Sequence, residues 1–161
     1  MTSDRGGTAM NGRAHGGPPA PSTPAGPGRT VEELTSGEAL ALLGSVGLGR
    51  VVFTRHALPA VRPVNHLLDA GDIIIRPHDG STLTALLESP EGAGVVVAYE
   101  ADTIDPATRL GWSVVVTGYA TSVTDPAELE RFTRLLRPWV DGTFTGAIRI
   151  TPALVTGFRL N

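Results

Sequence analysis

From residue 48 onward, apolar positions alternate with polar or small ones at a spacing of two, in short runs bounded by Gly, Pro, Asn and Asp. That is the pattern of half-buried strands joined by tight turns. Leu48 to Thr54 is one such run, followed by a loop at Arg55-His56-Ala57-Leu58. A hairpin then spans Pro59 to Pro77 and turns at Asp69-Ala70-Gly71-Asp72. Pairing Asp69 with Asp72 sets Leu67 opposite Ile74 and Asn65 opposite Arg76. Alternation places Arg62, Val64 and His66 on one face with Ile73 and Ile75, and Pro63, Asn65 and Arg76 on the other. Pro59 and Pro63 cannot donate to a ladder, so this strand is expected to lie partly at an edge or a bulge.

Further along, Val95 to Tyr99 reads as an apolar strand buried on both faces, and Ala101 to Arg109 as a loop built on Asp-Pro chemistry. Leu110 to Val123 is expected to be the longest strand, with Trp112, Val114 and Val116 on one face and Ser113, Val115, Thr117 and Tyr119 on the other. Gly118 marks a bulge or bend within it. Two final strands are expected, Thr145 to Thr151 and Leu154 to Leu160, separated near Pro152.

The period changes to that of a helix in three places. Thr35-Ser36-Gly37-Glu38 has the capping-box form, with Leu40 and Leu43 at helical spacing until Gly44 and Gly47. Gly80-Ser81 opens a short helix to Leu87, and Ser89-Pro90-Glu91-Gly92 closes it. Asp125-Pro126-Ala127-Glu128 opens a third, with Leu129, Phe132, Leu135 and Leu136 as its buried stripe and Arg131, Arg134 and Arg137 off it. Strands joined by short turns, with glycine marking the long ones, predict an antiparallel sheet that closes: mainly β, a compact barrel with peripheral helices. Gly44, Gly47 and Gly49 do not form a dinucleotide loop, because they follow a helix and precede a strand, the reverse of the order that motif needs.

Composition changes this picture at the N-terminus. Residues 1–29 hold seven glycines and five prolines and no Val, Leu, Ile or Phe. Such a stretch cannot bury enough apolar surface to offset its ordering entropy, so it reads as a disordered tail ahead of a single domain over 30–161. The tail carries three arginines against Asp4, so of the formal net charge of −3 the domain holds −5. An acidic domain with only 5% aromatic residues is poorly suited to nucleic acid. All 13 basic residues are arginine, which removes lysine Schiff-base chemistry. Cysteine is absent, which excludes disulfides and thiolates and suits a cytoplasmic location. No apolar run approaches the length of a membrane span. His15, His56, His66 and His78 show no metal spacing; His66 and His78 read as surface histidines or as groups near a barrel mouth.

Several of these segments, taken together, resemble the pyridoxamine 5′-phosphate oxidase-like family, and in particular its actinobacterial flavoproteins. They are Arg62-Pro63-Val64-Asn65, Ile73-Ile74-Ile75-Arg76 leading to Gly80-Ser81, Gly111-Trp112-Ser113-Val114-Val115-Val116-Thr117-Gly118, and Ile150-Thr151-Pro152 with Val155-Thr156-Gly157. The resemblance covers about residues 32–161. It implies a six-stranded antiparallel split β-barrel, a homodimer, and FMN bound without covalent linkage at the dimer interface. Residue by residue, it makes Arg62, Pro63, Val64, Asn65, Ile75, Arg76, Ser81 and Thr82 candidate cofactor contacts. Trp112 and Ser113 are expected near the ring from the long strand, of the same or the partner subunit.

The residue chemistry fits such a site. A phosphate dianion needs N–H groups at a helix start, hydroxyls or arginine forks, which Gly80-Ser81-Thr82, Arg62 and Arg76 offer. A flat ring needs apolar walls, which Val64, Ile75 and Trp112 offer, with Asn65 at its edge. Each residue also has a plain structural role open to it: Ser81 as a helix cap, Trp112 as core, Arg62 or Arg76 as partner of a carboxylate. The sequence departs from the family at Thr82, where a lysine or arginine often stands, and this leaves a deazaflavin or heme as the alternative cofactor. The expected activity is flavin-dependent oxidoreduction of a small organic substrate by hydride or electron transfer, with no side chain singled out as catalytic. The alternative is a non-catalytic flavin, deazaflavin or heme binder.

Overall fold

A computed structural model describes residues 28–77, 82–87, 94–136 and 146–161. Most of the expected tail, His78, Gly80-Ser81, the Ser89 to Gly92 turn, Arg137 and Thr145 lie outside these residues, as do the side chains of Thr82 and Leu86. Seven strands and three helices follow one another as β1 (Val31–Glu33), α1 (Ser36–Gly44), β2 (Leu48–Arg55), β3 (Leu58–Asp69), β4 (Asp72–Ile75), α2 (Thr82–Leu87), β5 (Val95–Ile104), β6 (Gly111–Ser122), α3 (Pro126–Leu135) and β7 (Ile148–Leu160). The sheet order is β1-β7-β4-β3-β2-β5-β6, and β6 also pairs with β7. Strands β2 to β7 therefore close into an antiparallel ring of six, with β1 attached outside it on β7. The ring is split along β7, whose N-terminal end pairs with β4 at Ile148–Ile150 and whose C-terminal end pairs with β1 at Phe158–Leu160.

Both tight hairpins are built by left-handed residues. His56 and Ala57 have φ of 49° and 62°, and Ala70 and Gly71 have φ of 51° and 92°. Two successive positive values make the turn whose twist matches that of the flanking strands. The second turn fixes the register expected from sequence, with Asp69 opposite Asp72, Leu67 opposite Ile74 and His66 opposite Ile75. Asp69 and Asp72 would repel one another, but Arg131 takes Asp69 through two bonds of 2.8 and 2.7 Å, and Arg149 bridges Asp72 and Glu128. The tip of the hairpin is thereby tied to α3.

The inward face of the ring packs Val51, Phe53, Val64, Ile73, Ile75, Tyr99, Val114, Val116 and Ile150 with Ala39 and Leu43 of α1. The Thr35 to Glu38 capping box is present. A second, smaller cluster lies outside the ring, where Phe132 of α3 covers Ile74, Val123 and Ala147. Asp125 caps α3 by accepting from the Glu128 N–H at 2.8 Å.

Four expectations need correction. Strand β5 is buried on one face only: Val97, Tyr99 and Ala101 point inward, while Val96 is 60% exposed. It also runs on to Ile104, because β6 pairs with it as far as Ile104 opposite Gly111, so the loop is confined to the residues between those two strands. The C-terminal pair of strands is one strand, β7, the longest in the fold at 13 residues. Pro152 does not break it, since it lies opposite Gly118 at a register shift where the ladder is already interrupted. A Cβ on Gly118 would run into the Thr151 carbonyl oxygen, so glycine permits this close approach. Leu135, finally, is 62% exposed and lies off the buried stripe of α3. Among the described residues no helix is long and apolar enough to cross a membrane.

Candidate functional site

The hairpin β3–β4 separates the expected site residues by face. Val64 and Ile75 point into the barrel, and Ile75 is wholly buried in its core. Pro63 and Asn65 point outward. Arg76 follows the last paired residue of β4, and its Nη1 donates to the Leu136 carbonyl at 3.2 Å, at the C-terminal end of α3. A guanidinium there complements the carbonyl end of the helix. The sequence could not show this partner, which lies 60 positions away.

Pairing of β4 with β3 begins at His66, so among the described residues the stretch 58–65 of β3 is laddered on the β2 side alone. The His66 N–H donates to the Gly47 carbonyl at 3.1 Å, which fixes the even-numbered residues as those bonded to β2. Pro59, Val61, Pro63 and Asn65 therefore turn their backbone groups to the edge that no described strand pairs, where the missing N–H of a proline costs no ladder bond. On this edge Arg62 is exposed and donates to the Val61 carbonyl at 2.7 Å. It forms no ion pair among the described residues, whereas Arg50, Arg131 and Arg149 are each paired with carboxylates.

The expected second wall is placed elsewhere. Trp112 lies on the inward side of β6, partly buried against the core, and Ser113 faces outward opposite Asp102 and Phe158. In the six-membered ring β3 and β6 are three strands apart in either direction, so they stand on opposite sides of the barrel. One chain brings Arg62, Pro63, Asn65 and Arg76 to the hairpin and keeps Trp112 and Ser113 away from it. Ser81 lies outside the described residues; Thr82 opens α2. Among the described residues no three His, Asp or Glu side chains gather where they could hold a metal ion.

Sequence reasoning missed a polar pair inside the barrel. His66 is neither at the surface nor at a barrel mouth; it is 3% exposed. Its Nε2 lies 2.9 Å from the Leu43 carbonyl and its Nδ1 2.8 Å from the Tyr99 hydroxyl, which also lies 3.2 Å from the Val64 carbonyl. A carbonyl only accepts, so Nε2 carries the hydrogen; the single Tyr99 O–H then has two acceptors within reach, the Val64 carbonyl and the bare Nδ1 of the neutral ring, and serves one of them at a time. Burial pushes the His66 pKa below its ordinary value, opposed in part by the Leu43 carbonyl. Burial likewise raises the Tyr99 phenol, with Glu100 adding to the effect. The alternation rule places residue 66 inward, which was the signal available; its partners are 23 and 33 positions away.

This predicts an acid-sensitive fold. With the folded His66 pKa depressed, the unfolded chain takes the proton first, so stability is full above the unfolded value of about 6.5 and falls as pH drops below it. Tyr99 is the ionisable group in contact with the ring among the described residues. Urea unfolding from pH 7.5 down to pH 5 should show this slope, and His66→Gln should flatten it. An equal slope in the variant would assign the acid sensitivity to other groups.

Comparison with known proteins identifies the scaffold. A family model described as pyridoxamine 5′-phosphate oxidase matches residues 35–159. The chain belongs to this family. An uncharacterized protein of Mycobacterium tuberculosis, Rv0080, is 53% identical over 132 residues, 82% of this chain and 87% of its own. A crystal structure from Corynebacterium glutamicum, provisionally named a pyridoxamine 5′-phosphate oxidase, is 34% identical with a TM-score of 0.67, over 81% of this chain and 98% of the other. The FAD binding protein of Mycobacterium smegmatis is 29% identical with a TM-score of 0.62, over 82% of this chain and all of the other. The six-stranded ring is the split barrel of this family, as the resemblance implied.

Proposed function

We propose that this chain is a flavin-dependent oxidoreductase that binds its cofactor against the outer side of the β3–β4 hairpin, works as a homodimer in the cytoplasm, and acts on a small organic substrate. The observation that carries the reading is the open edge of β3, where Arg62 is exposed and free of any described carboxylate beside outward-facing Pro63 and Asn65. Those residues fit a flavin. The guanidinium suits a phosphate or an electron-rich ring edge, Pro63 gives a flat apolar contact, and backbone groups along the edge suit the polar rim of the ring. The FAD binding protein of Mycobacterium smegmatis, matched over its whole length, supports a flavin and makes FAD the rival of FMN.

The opposite placement of β3 and β6 supports the dimer, because a planar ligand on the hairpin can reach Ser113 only if a second copy supplies β6. The barrel exterior offers a surface for that copy. Val96, Val115, Tyr119 and Leu154, on the neighbouring strands β5, β6 and β7, all point outward and are 36% to 60% exposed. A contiguous apolar face of this kind suits an isologous interface.

The flavin, when bound, supplies hydride or electron transfer, and the chain's own residues have the smaller task of holding it. Arg62 would neutralise negative charge, Asn65 would orient the polar rim, and Pro63 would exclude water from one side. No side chain need act as a nucleophile, in keeping with a chain that has no lysine and no cysteine.

The purified protein is expected to be yellow, with mass analysis of the released cofactor distinguishing FMN from FAD and from a deazaflavin. A protein that stays colourless after either flavin is added would end the proposal. Arg62→Ala should weaken flavin binding about tenfold or more, the effect of losing a charge-assisted hydrogen bond. Unchanged affinity would move the site off this edge. Anaerobic reduction by NADPH or a reduced deazaflavin, followed by turnover with a quinone or nitroaromatic acceptor, tests the enzyme. Bound flavin that no donor reduces would leave a binding protein.

A further inference from the structure

We propose that Tyr99 and His66 are positioning residues that hold the Pro63–Asn65 segment of β3 at a fixed height, gripping its backbone from inside the barrel while the flavin lies outside. The proposal rests on the flavin site described above. Both side chains are buried in the apolar core, where two apolar side chains of similar volume would stabilise the fold as well without two polar groups to desolvate. Their bonds converge on one place. The single Tyr99 O–H has the Val64 carbonyl and His66 Nδ1 within reach, both acceptors on β3, so whichever it serves it ties β5 to this stretch of β3. His66 Nε2 donates to the Leu43 carbonyl in the last turn of α1. The His66 N–H is itself bonded to Gly47. Val64 and His66 are thus held through β2, β5 and α1 together.

The position of this grip is informative. The β4 ladder ends at His66, and the Tyr99–His66 pair stands at that end. Beyond it β3 is laddered on the β2 side alone among the described residues, and the segment named for the cofactor is the first stretch past the end of the β4 ladder. Strand β2 is shaped to admit the hydroxyl: a Cβ at Gly49 would stand 2.5 Å from the Tyr99 hydroxyl oxygen and 2.6 Å from the Glu100 carbonyl oxygen. Gly49, which pairs with Val64, is therefore a notch for the Tyr99 head group and not part of a nucleotide loop.

The test compares the full chain with Tyr99→Phe, which removes one oxygen and keeps the ring. Amide hydrogen exchange at Val64, Asn65 and His66 should quicken, and flavin affinity should fall about fivefold to tenfold, the scale of one neutral hydrogen bond, with a shift in the flavin absorption band. Val123→Ala, in the cluster under α3, should lose stability without moving either readout. Wild-type exchange rates in Tyr99→Phe would overturn the grip. Faster exchange with unchanged flavin affinity and spectrum would overturn its link to the cofactor. If the unaltered chain takes up no flavin, the proposed function fails, while the exchange rates still decide whether Tyr99 and His66 hold the segment. Should Tyr99→Phe not fold, His66→Gln is read by the same two measurements.

Discussion

Phe132→Ala is expected to cost about 3–5 kcal/mol of folding stability, the usual range for deleting a fully buried aromatic ring. The side chain has no exposed surface and fills the outer cluster between α3 and the sheet, against Ile74, Val123 and Ala147. A domain of this size has about 5–15 kcal/mol in all, so the loss is a large part of the total. The polar links of α3 cannot make it up. Arg131 and Asp69 keep 42% and 24% of their side-chain surface in solvent, and such pairs contribute up to about 1 kcal/mol. Urea denaturation checks this, and a loss below about 1 kcal/mol would show that α3 is not seated on Ile74.

Gly111→Ala should be comparably damaging for a different reason. Gly111 opens β6 with φ of 141°, and a Cβ there would run into the Thr103 carbonyl oxygen on the neighbouring strand. Backbone strain of about 1–3 kcal/mol and overpacking of about 1–3 kcal/mol act together, for an expected loss of about 2–6 kcal/mol. The contrast is Gly37→Ala in α1, where nothing lies within 4 Å of the added carbon. That change should stabilise the chain by about 0.5–1 kcal/mol through helix propensity alone. If thermal unfolding ranks the two variants together, the β5–β6 turn is looser than its geometry indicates.

What could be read from the sequence was whatever neighbours in the chain decide. The β3–β4 register followed from one turn and strict alternation, and the caps of α1 and α3 followed from four-residue signals. Closure of the barrel was legible because Gly118 marked the bulge. The errors came where a distant strand overrides local preference. Pro152 looks like a break until Gly118 is brought opposite it, and the start of the expected Ala101 to Arg109 loop looks irregular until β6 pairs with it as far as Ile104. The site shows the same division. Sequence could set Asn65 and Arg76 on one face of the hairpin. It could not show that Arg76 serves α3, that Trp112 packs inward on the far side of the ring, or that His66 meets Tyr99 in the core.

The stretch of β3 that is laddered on one side among the described residues also bears on how the chain avoids aggregation. A strand with one open side is a template on which foreign strands add, and repeated addition leads to insoluble aggregates. Of the four residues whose backbone groups turn that way, Pro59 and Pro63 have no N–H to offer. Val61 has its carbonyl covered by the Arg62 side chain. An incoming strand would find too few matched donors and acceptors to zip up, whereas a small planar molecule needs only one or two. The prolines that look like flaws in the strand thus act by periodicity, leaving too few regularly spaced backbone groups on this side for a further strand to add.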